Sequence, residues 1–149
     1  MKKSKRFQSV IKVAVARERQ AATALGEAQA ALQSQMARLE ELLHYQEEYQ
    51  LQFHRTGSLG MEARRILDYR AFLEKLKQAI RQQENMVDAA QQVVEERKQQ
   101  WFHSRGKLKT YDNVMERFQT EEQRQEDQRE QKETDERAQH AGRKRYSVE

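Results

Sequence analysis

Four histidines, His44, His54, His103 and His140, are the side chains in this sequence best suited to bind a metal ion. No two of them stand four residues apart, and none shares a helical ligand spacing with a second histidine. The chain contains no cysteine, so it offers neither a thiolate ligand nor a disulfide. The sequence therefore predicts no metal site, and we interpret the histidines as residues of helix surfaces.

The remaining side chains form no motif for catalysis. Neither of the glycine-rich sequences that cradle phosphate groups, G-x-x-x-x-G-K-[ST] and G-x-G-x-x-G, occurs. Carboxylates are abundant, but an acid/base pair with perturbed pKa values needs a desolvating cavity, and a pair of long helices encloses none. We expect a non-enzymatic protein with no catalytic residue and no cofactor.

Basic side chains could bind polyanions, since the sequence pI is about 9.4 and the net charge is +4. Acidic and basic residues nevertheless alternate along most of the chain, as in Arg17-Glu18-Arg19. Such alternation is typical of a solvated helix face, and no nucleic acid is expected as a partner. The alternative, a basic coiled coil that binds nucleic acid or a membrane surface, depends on the clusters Lys2–Arg6 and Arg143–Arg145. No window is apolar enough to span a membrane.

The elements that position these residues are helices. Proline, which breaks helix interiors, is absent, and there are only five glycines. Apolar residues recur at heptad a and d positions in two segments, which is strong evidence for a coiled coil with left-handed supercoiling. The a series of the second segment is apolar throughout: Ile66, Leu73, Ile80, Val87, Val94, Trp101, Leu108 and Met115.

Gly57 and Gly60 mark a turn between the two segments. The predicted fold is all-α: an antiparallel coiled-coil hairpin over residues 1–118, with helices over about 5–55 and 62–118 and a turn at 56–60. Folding about residue 58 places position i opposite 116 − i. Residues 119–149 form a polar C-terminal extension, either helical or frayed. The hairpin brings the basic cluster Arg143–Arg145 near the same end as Lys2–Arg6.

The g positions beside the seam are unusually apolar on both helices. Tyr45 and Phe72 are predicted to lie side by side on this flank, near the turn. Three interpretations remain open. Alanine and methionine at g widen the seam, or the flank pairs with a second copy of the chain, or it docks another protein with Tyr45 and Phe72 as anchors.

Two blocks of sequence resemble a known family. Residues 42–49, LLHYQEEY, are similar to the L-x-x-Y-Q-x-E-Y block of the flagellar export protein FliJ family. Residues 69–80, YRAFLEKLKQAI, resemble its Y-x-x-F-[IL]-x-x-L-x-x-A-I stretch. The resemblance covers about residues 6–118. The basic N-terminus and the Gln/Glu-rich tail match poorly.

The resemblance implies a stalk-like coiled coil of the flagellar type III export apparatus, at the cytoplasmic face of the inner membrane at the flagellar base. Its implied partners are the hexameric export ATPase, the cytoplasmic domain of the export gate and the export chaperones. A stalk protein of a virulence secretion system shares the shape and remains an alternative. The implied gate-binding residues are Leu42, Tyr45, Tyr49, Phe72, Leu76 and Ala79. For the end that enters the ATPase ring, we expect Lys2, Lys3, Lys5, Arg6, Phe7, Ile11, Tyr111 and Met115.

Overall fold

The computed structural model describes residues 2–57 and 62–147, and in these ranges the fold is two long helices. Helix α1 spans Lys3–Gly57 and helix α2 spans Ala63–Ser147, and no strand occurs in the described ranges. The predicted all-α class and the packing of two long helices are therefore confirmed. Part of the expected turn, residues 56 and 57, is the last part of α1, whereas residues 58–60 lie outside the described ranges.

The chain divides into two compact units, each containing a piece of both helices. Unit 1 comprises Met1–Glu18 with His103–Glu149, and unit 2 comprises Arg19–Phe102. In unit 1, Phe7 contacts both Tyr111 and Phe118. In unit 2, Tyr45 contacts Phe72, whereas the earlier Gln35 contacts the later Gln83. The helices within unit 2 therefore run antiparallel.

The heptad pattern correctly predicts which side of each helix is buried. Every a and d residue of α1 from Phe7 to Phe53 is buried or half-buried. The same holds for α2 from Ile66 to Phe118, with Arg97 as the exception. The Arg97 guanidinium donates a hydrogen bond to Gln100 Oε1 at 3.2 Å on the exposed surface. A cation at a d position therefore avoids the desolvation cost of the seam by turning outward.

The seam of unit 2 contains a polar layer in which Gln35 and Gln83 are hydrogen-bonded to each other. Gln83 Nε2 donates to the Gln35 backbone carbonyl at 2.9 Å and to Gln35 Oε1 at 2.7 Å. Gln83 is only 9% exposed, so these bonds replace those that its amide would make with water. A paired polar layer of this kind favours one alignment of the helices, because a shifted alignment leaves the amides buried without partners.

The predicted register holds closely, and one geometric prediction is wrong. Tyr45, Gln35 and Phe7 contact Phe72, Gln83 and Tyr111, each within two positions of 116 − i. Phe7 also contacts Phe118, further along α2. The predicted position of Arg143–Arg145 is wrong, because α2 stays helical through the polar extension to Ser147. At 1.5 Å per residue, Arg143 lies about 30 Å along the helix beyond Glu122, where α1 begins, so it is not beside Lys2–Arg6.

The polar extension is a helix whose side chains face water. From residue 123 to 141 every residue is exposed. Hydrogen bonds between neighbouring turns support it, including Gln123 to Asp127 at 3.0 Å and Gln131 to Asp135 at 3.2 Å. Each such pair stabilises a helix by about 0.2–0.5 kcal/mol. Good helix formers and local pairs, rather than a packed core, account for this segment.

Candidate partner-binding surfaces

The turn-proximal part of unit 2 carries an aromatic patch, defined here as Tyr45, Tyr49, Phe53, Tyr69 and Phe72. The rings of Tyr45 and Phe72 lie 6.2 Å apart in an edge-to-face arrangement, which confirms the predicted pairing across the helices. Tyr49 lies between them and the turn, with its ring 4.6 Å from that of Phe72. The two helices thus hold the patch in a fixed geometry.

Exposure divides the predicted gate-binding residues into two groups. Tyr45 is 49% exposed and Phe72 is 37% exposed, so both rings are accessible to a partner. Leu42, Tyr49 and Ala79 are half-buried, and Leu76, at 6% exposed, is part of the core. Leu76 can affect a partner only through the residues that pack on it. The accessible part of the predicted surface is therefore centred on the Tyr45–Phe72 pair.

Phe53 and Tyr69 extend the patch beyond the residues that the sequence assigned to it. Their rings stack with centroids 3.5 Å apart and planes 9° apart, and Tyr69 also stacks on Tyr49 at 5.2 Å. Both residues occupy heptad seam positions, and we expected them only to pack. Their place in the patch could have been predicted from the aromatic residues that occupy seam positions on both sides of the turn.

The apolar g flank continues beyond the patch along α2 of unit 2. Met86 is 49% exposed and Val93 is 42% exposed, so part of each side chain is accessible to solvent. Met36, at 53%, and Leu43, at 43%, are exposed at e positions of α1. Unit 2 therefore presents accessible apolar side chains on both flanks.

Unit 1 contains a second aromatic cluster at the start of α1. The Phe7 ring meets Tyr111 edge-to-face at 5.8 Å and Phe118 at 5.5 Å. Met115, at 8% exposed, is buried nearby, and Ile11 is half-buried. These side chains form the core of unit 1. Of the residues expected to enter the ATPase ring, the accessible ones are therefore the cations Lys2, Lys3, Lys5 and Arg6, all of which are exposed.

A hydrogen-bonded carboxylate holds the first turn of α1 against α2. Glu122 Oε1 accepts a bond from the Ser4 backbone N–H at 3.1 Å, and Glu122 Oε2 accepts one from Ser4 Oγ at 2.7 Å. Donation by the Ser4 hydroxyl, then by the Ser4 amide, lowers the pKa of Glu122 below its ordinary value of 4.5, and the nearby charge of Lys2 contributes in the same direction. Glu122 thus remains a carboxylate at neutral pH.

Neither unit shows an arrangement suited to catalysis in the part of the chain that the structure describes. No group of three His, Asp or Glu side chains comes together there as a metal site. Glu122 is the carboxyl group with a clearly altered pKa, and it serves a structural bond. None of the described helices has a stretch long and apolar enough to cross a membrane. The accessible features are exposed aromatic, apolar and charged side chains.

Two antiparallel helices with a heptad seam and an exposed aromatic patch define a coiled-coil interaction protein. The family described as "Flagellar FliJ protein" matches residues 2–147. The chain is also 30% identical over 121 residues to the "Flagellar FliJ protein" of Escherichia coli strain K12, a match that covers 81% of this chain and 82% of that protein. No solved structure matches the chain.

The chain belongs to the FliJ family, because the match extends over nearly its whole length. It is therefore a component of the bacterial flagellar export apparatus, and its family is a non-catalytic one. The resemblance predicted from residues 42–49 and 69–80 is confirmed. It also extends beyond the predicted range of about 6–118, into the polar extension.

Proposed function

We propose that this protein is a non-enzymatic, stalk-like coupling component of the export apparatus. One part of it binds the hexameric export ATPase and promotes assembly and activity of the ring. Another part contacts the cytoplasmic domain of the export gate, and the protein also handles export chaperones. It acts at the cytoplasmic face of the inner membrane, at the flagellar base, as a peripheral protein.

The observation that carries the gate assignment is the exposed Tyr45–Phe72 pair in a chain of the FliJ family. Exposed aromatic rings that are held in place lose little conformational entropy on binding and bury a large apolar area. Tyr49 and Leu76 support the pair from the seam. Membrane or nucleic-acid binding has no comparable support in unit 2, where acidic side chains such as Glu41 and Glu48 lie on the same helix as Tyr45.

The ATPase assignment rests on the start of α1 in unit 1. Lys3, Lys5 and Arg6 are exposed there and add positive charge near the aromatic cluster around Phe7. Electrostatic attraction of this kind accelerates association and aligns a partner, with a smaller effect on final affinity. The cluster provides a stable base from which these cations project.

The gate assignment can be tested with the double variant Tyr45→Ala/Phe72→Ala. We expect its affinity for the purified cytoplasmic domain of the export gate to fall about 30-fold, since two central aromatic residues are removed. The matched control is Leu51→Ala/Leu67→Ala in the same unit, because these leucines are 50% and 65% exposed but lie outside the seam and its g flank. Equal losses for both double variants, or no loss for the first, would overturn the assignment.

The ATPase assignment can be tested by charge reversal. The variant Lys3→Glu/Lys5→Glu/Arg6→Glu should stimulate hydrolysis by the purified export ATPase less than the wild type does, and the difference should shrink at high salt. The variant Arg143→Glu/Lys144→Glu/Arg145→Glu changes the charge equally on the exposed extension and should stimulate normally. If the second variant is as defective as the first, net charge rather than the start of α1 is responsible.

Chaperone handling requires a separate binding measurement. Each purified export chaperone is titrated against the wild-type protein and against Tyr45→Ala/Phe72→Ala. Micromolar or tighter binding of at least one chaperone supports this part of the proposal, and the variant shows whether the chaperone and the gate use the same patch. Absence of binding to every chaperone contradicts it without affecting the gate and ATPase assignments.

A further inference from the structure

Unit 1 contains an open cleft that neither of the proposed surfaces explains. It has a volume of about 400 Å³ and lies where α1 packs on α2 within the unit. The side chains of Val10, Val13 and Ala14 provide its apolar lining. Val10 is 40% exposed and Val13 is 50% exposed, so apolar surface remains open to solvent in this cleft.

Small residues in the seam explain why a cleft forms at this point. Ala14 and Ser104 both occupy d positions and line the cleft, whereas the neighbouring layer contains the large rings of Phe7 and Tyr111. Because an alanine and a serine fill little volume, the space between the helices is not closed by side chains from the seam. From Val10 to Arg17 the cleft extends over about two helical turns, or roughly 10 Å.

The charged residues around the cleft are all basic or potentially basic. Arg17, Lys107 and His103 line it, and no carboxylate does. In the part of the chain that the structure describes, none of these three side chains has an ion-pair partner. Their donors are therefore available to a ligand that brings negative charge. Glu18 follows Arg17 in the sequence but does not line the cleft.

We propose that the cleft binds an acidic amphipathic helix of a partner protein. Apolar side chains one turn apart on such a helix would cover Val10, Val13 and Ala14, as in other complexes that place a helix in a groove. Carboxylates flanking that apolar stripe would pair with Arg17 and Lys107 in charge-assisted hydrogen bonds. Tyr111 also lines the cleft, where its hydroxyl group could bond to the same ligand.

This site is distinct from the surfaces in the proposed function. It shares only Tyr111 with the residues expected at the ATPase ring, and it shares none with the gate-binding residues. The test uses neither the ATPase nor the gate, so its failure and a failure of the proposed function can be told apart.

The probe is a synthetic amphipathic peptide of about 18 residues, roughly five helical turns, with leucines on one face and glutamates beside them. Two further peptides provide comparison: one with the same composition in shuffled order, and one with lysines in place of the glutamates. We expect the full-length protein to bind the acidic peptide about tenfold more tightly than either comparison peptide, with affinity falling as salt is added.

The variant Arg17→Glu/Lys107→Glu should lose this binding by about tenfold or more. Its matched control is Lys12→Glu/Lys109→Glu, which makes the same charge change on the same two helices at exposed positions outside the cleft. The control should bind within about twofold of wild type. Circular dichroism of both variants verifies that the helices remain folded.

A further variant tests the apolar part of the cleft. Val13→Asp, at a half-exposed position, should weaken the acidic peptide because it places a carboxylate among the apolar contacts. Asparagine has nearly the same shape as aspartate but no charge. Val13→Asn therefore separates the loss of apolar contact from repulsion between the new carboxylate and the glutamates of the peptide.

Three results would overturn the proposal. The acidic peptide could bind no better than its shuffled form, or both double charge reversals could weaken it equally. The third result would come from sedimentation analysis. If the wild type self-associates and Arg17→Glu/Lys107→Glu abolishes this association, the occupant of the cleft is a second copy of the chain.

Discussion

Ser4 and Glu122, which are 118 positions apart in the chain, form a helix cap that spans two helices. The Lys2 carbonyl accepts the first helical bond of α1, from Arg6 N–H at 3.2 Å, so Lys2 occupies the capping position. Lysine has no acceptor for the free amides of a first turn, and that turn contains no acidic residue. Glu122 of α2 provides the acceptor and a negative charge at the positive end of the α1 dipole.

Removing this carboxylate should loosen the start of α1. In Glu122→Ala, amide hydrogen exchange over residues 4–9 should become faster by about two- to 30-fold, the range that loss of a capping side chain produces. Exchange in unit 2 should not change. The control Glu126→Ala removes an exposed carboxylate one turn further along α2. Identical exchange in the two variants would show that the Glu122 bonds do not hold the turn.

The same contact makes the start of α1 sensitive to acid. Because the folded pKa of Glu122 lies below its ordinary value of 4.5, the contact stabilises the folded state fully above that value. The contribution is lost as the pH falls through the lower, folded pKa. In an NMR titration, the carboxyl carbon of Glu122 should report a pKa below the ordinary value of 4.5. Ser4→Ala should move the Glu122 pKa back towards 4.5, and an unchanged pKa would assign the shift to another group.

The Gln35–Gln83 layer should determine the alignment of the helices at a cost in stability. Gln35→Leu/Gln83→Leu should raise the melting temperature, since a polar pair in an apolar seam costs stability. The single variant Gln83→Leu should have a lower melting temperature than the wild type, because the Gln35 amide then loses its hydrogen-bond partner. If the double variant melts below wild type, the layer stabilises the fold outright.

Alignment can be measured separately, because the chain has no cysteine that would interfere. Cysteine pairs are introduced on the exposed sides of the seam, one pair in the native alignment and one displaced by a heptad. In wild type only the native pair should form a disulfide. In the double leucine variant the displaced pair should form one as well, and its failure to do so would show that the apolar residues alone set the alignment.

Truncation should separate the extension from the packed part of unit 1. Ending the chain after residue 125 removes residues 126–141, which are all exposed, together with the segment beyond them, and keeps Glu122. We expect less than about 0.5 kcal/mol of change in the free energy of unfolding, as is usual for surface residues. Phe7→Ala is the contrasting variant. Loss of its two ring contacts at a half-buried position should cost about 2 kcal/mol in chemical denaturation.

Much of this structure could be predicted because heptad spacing fixes which residues share a helix face. The pairing of Tyr45 with Phe72 follows from that spacing and from antiparallel packing alone. Prediction failed where no apolar periodicity exists. The polar residues 119–147 form a helix through propensity and local hydrogen bonds, and nothing in their pattern distinguishes this from fraying. The Ser4–Glu122 contact joins two ordinary polar residues, and locating it requires the register to within one turn.

The cleft in unit 1 could not be predicted for a related reason. Ala14 fits the heptad pattern as a seam residue, and the pattern treats it as equivalent to leucine. Its small volume has an effect only in combination with Ser104 on the other helix. A one-dimensional pattern identifies the seam and does not report how completely the side chains fill it.

The helix beyond Glu122 is exposed at every residue from 123 to 141, and this affects how that stretch can evolve. Insertions or deletions of whole turns there would alter its reach without disturbing a single tertiary contact. Relatives of this protein can therefore be expected to differ most in length at this end. A genetic fusion or a fluorescent reporter placed after Ser147 should be tolerated for the same reason.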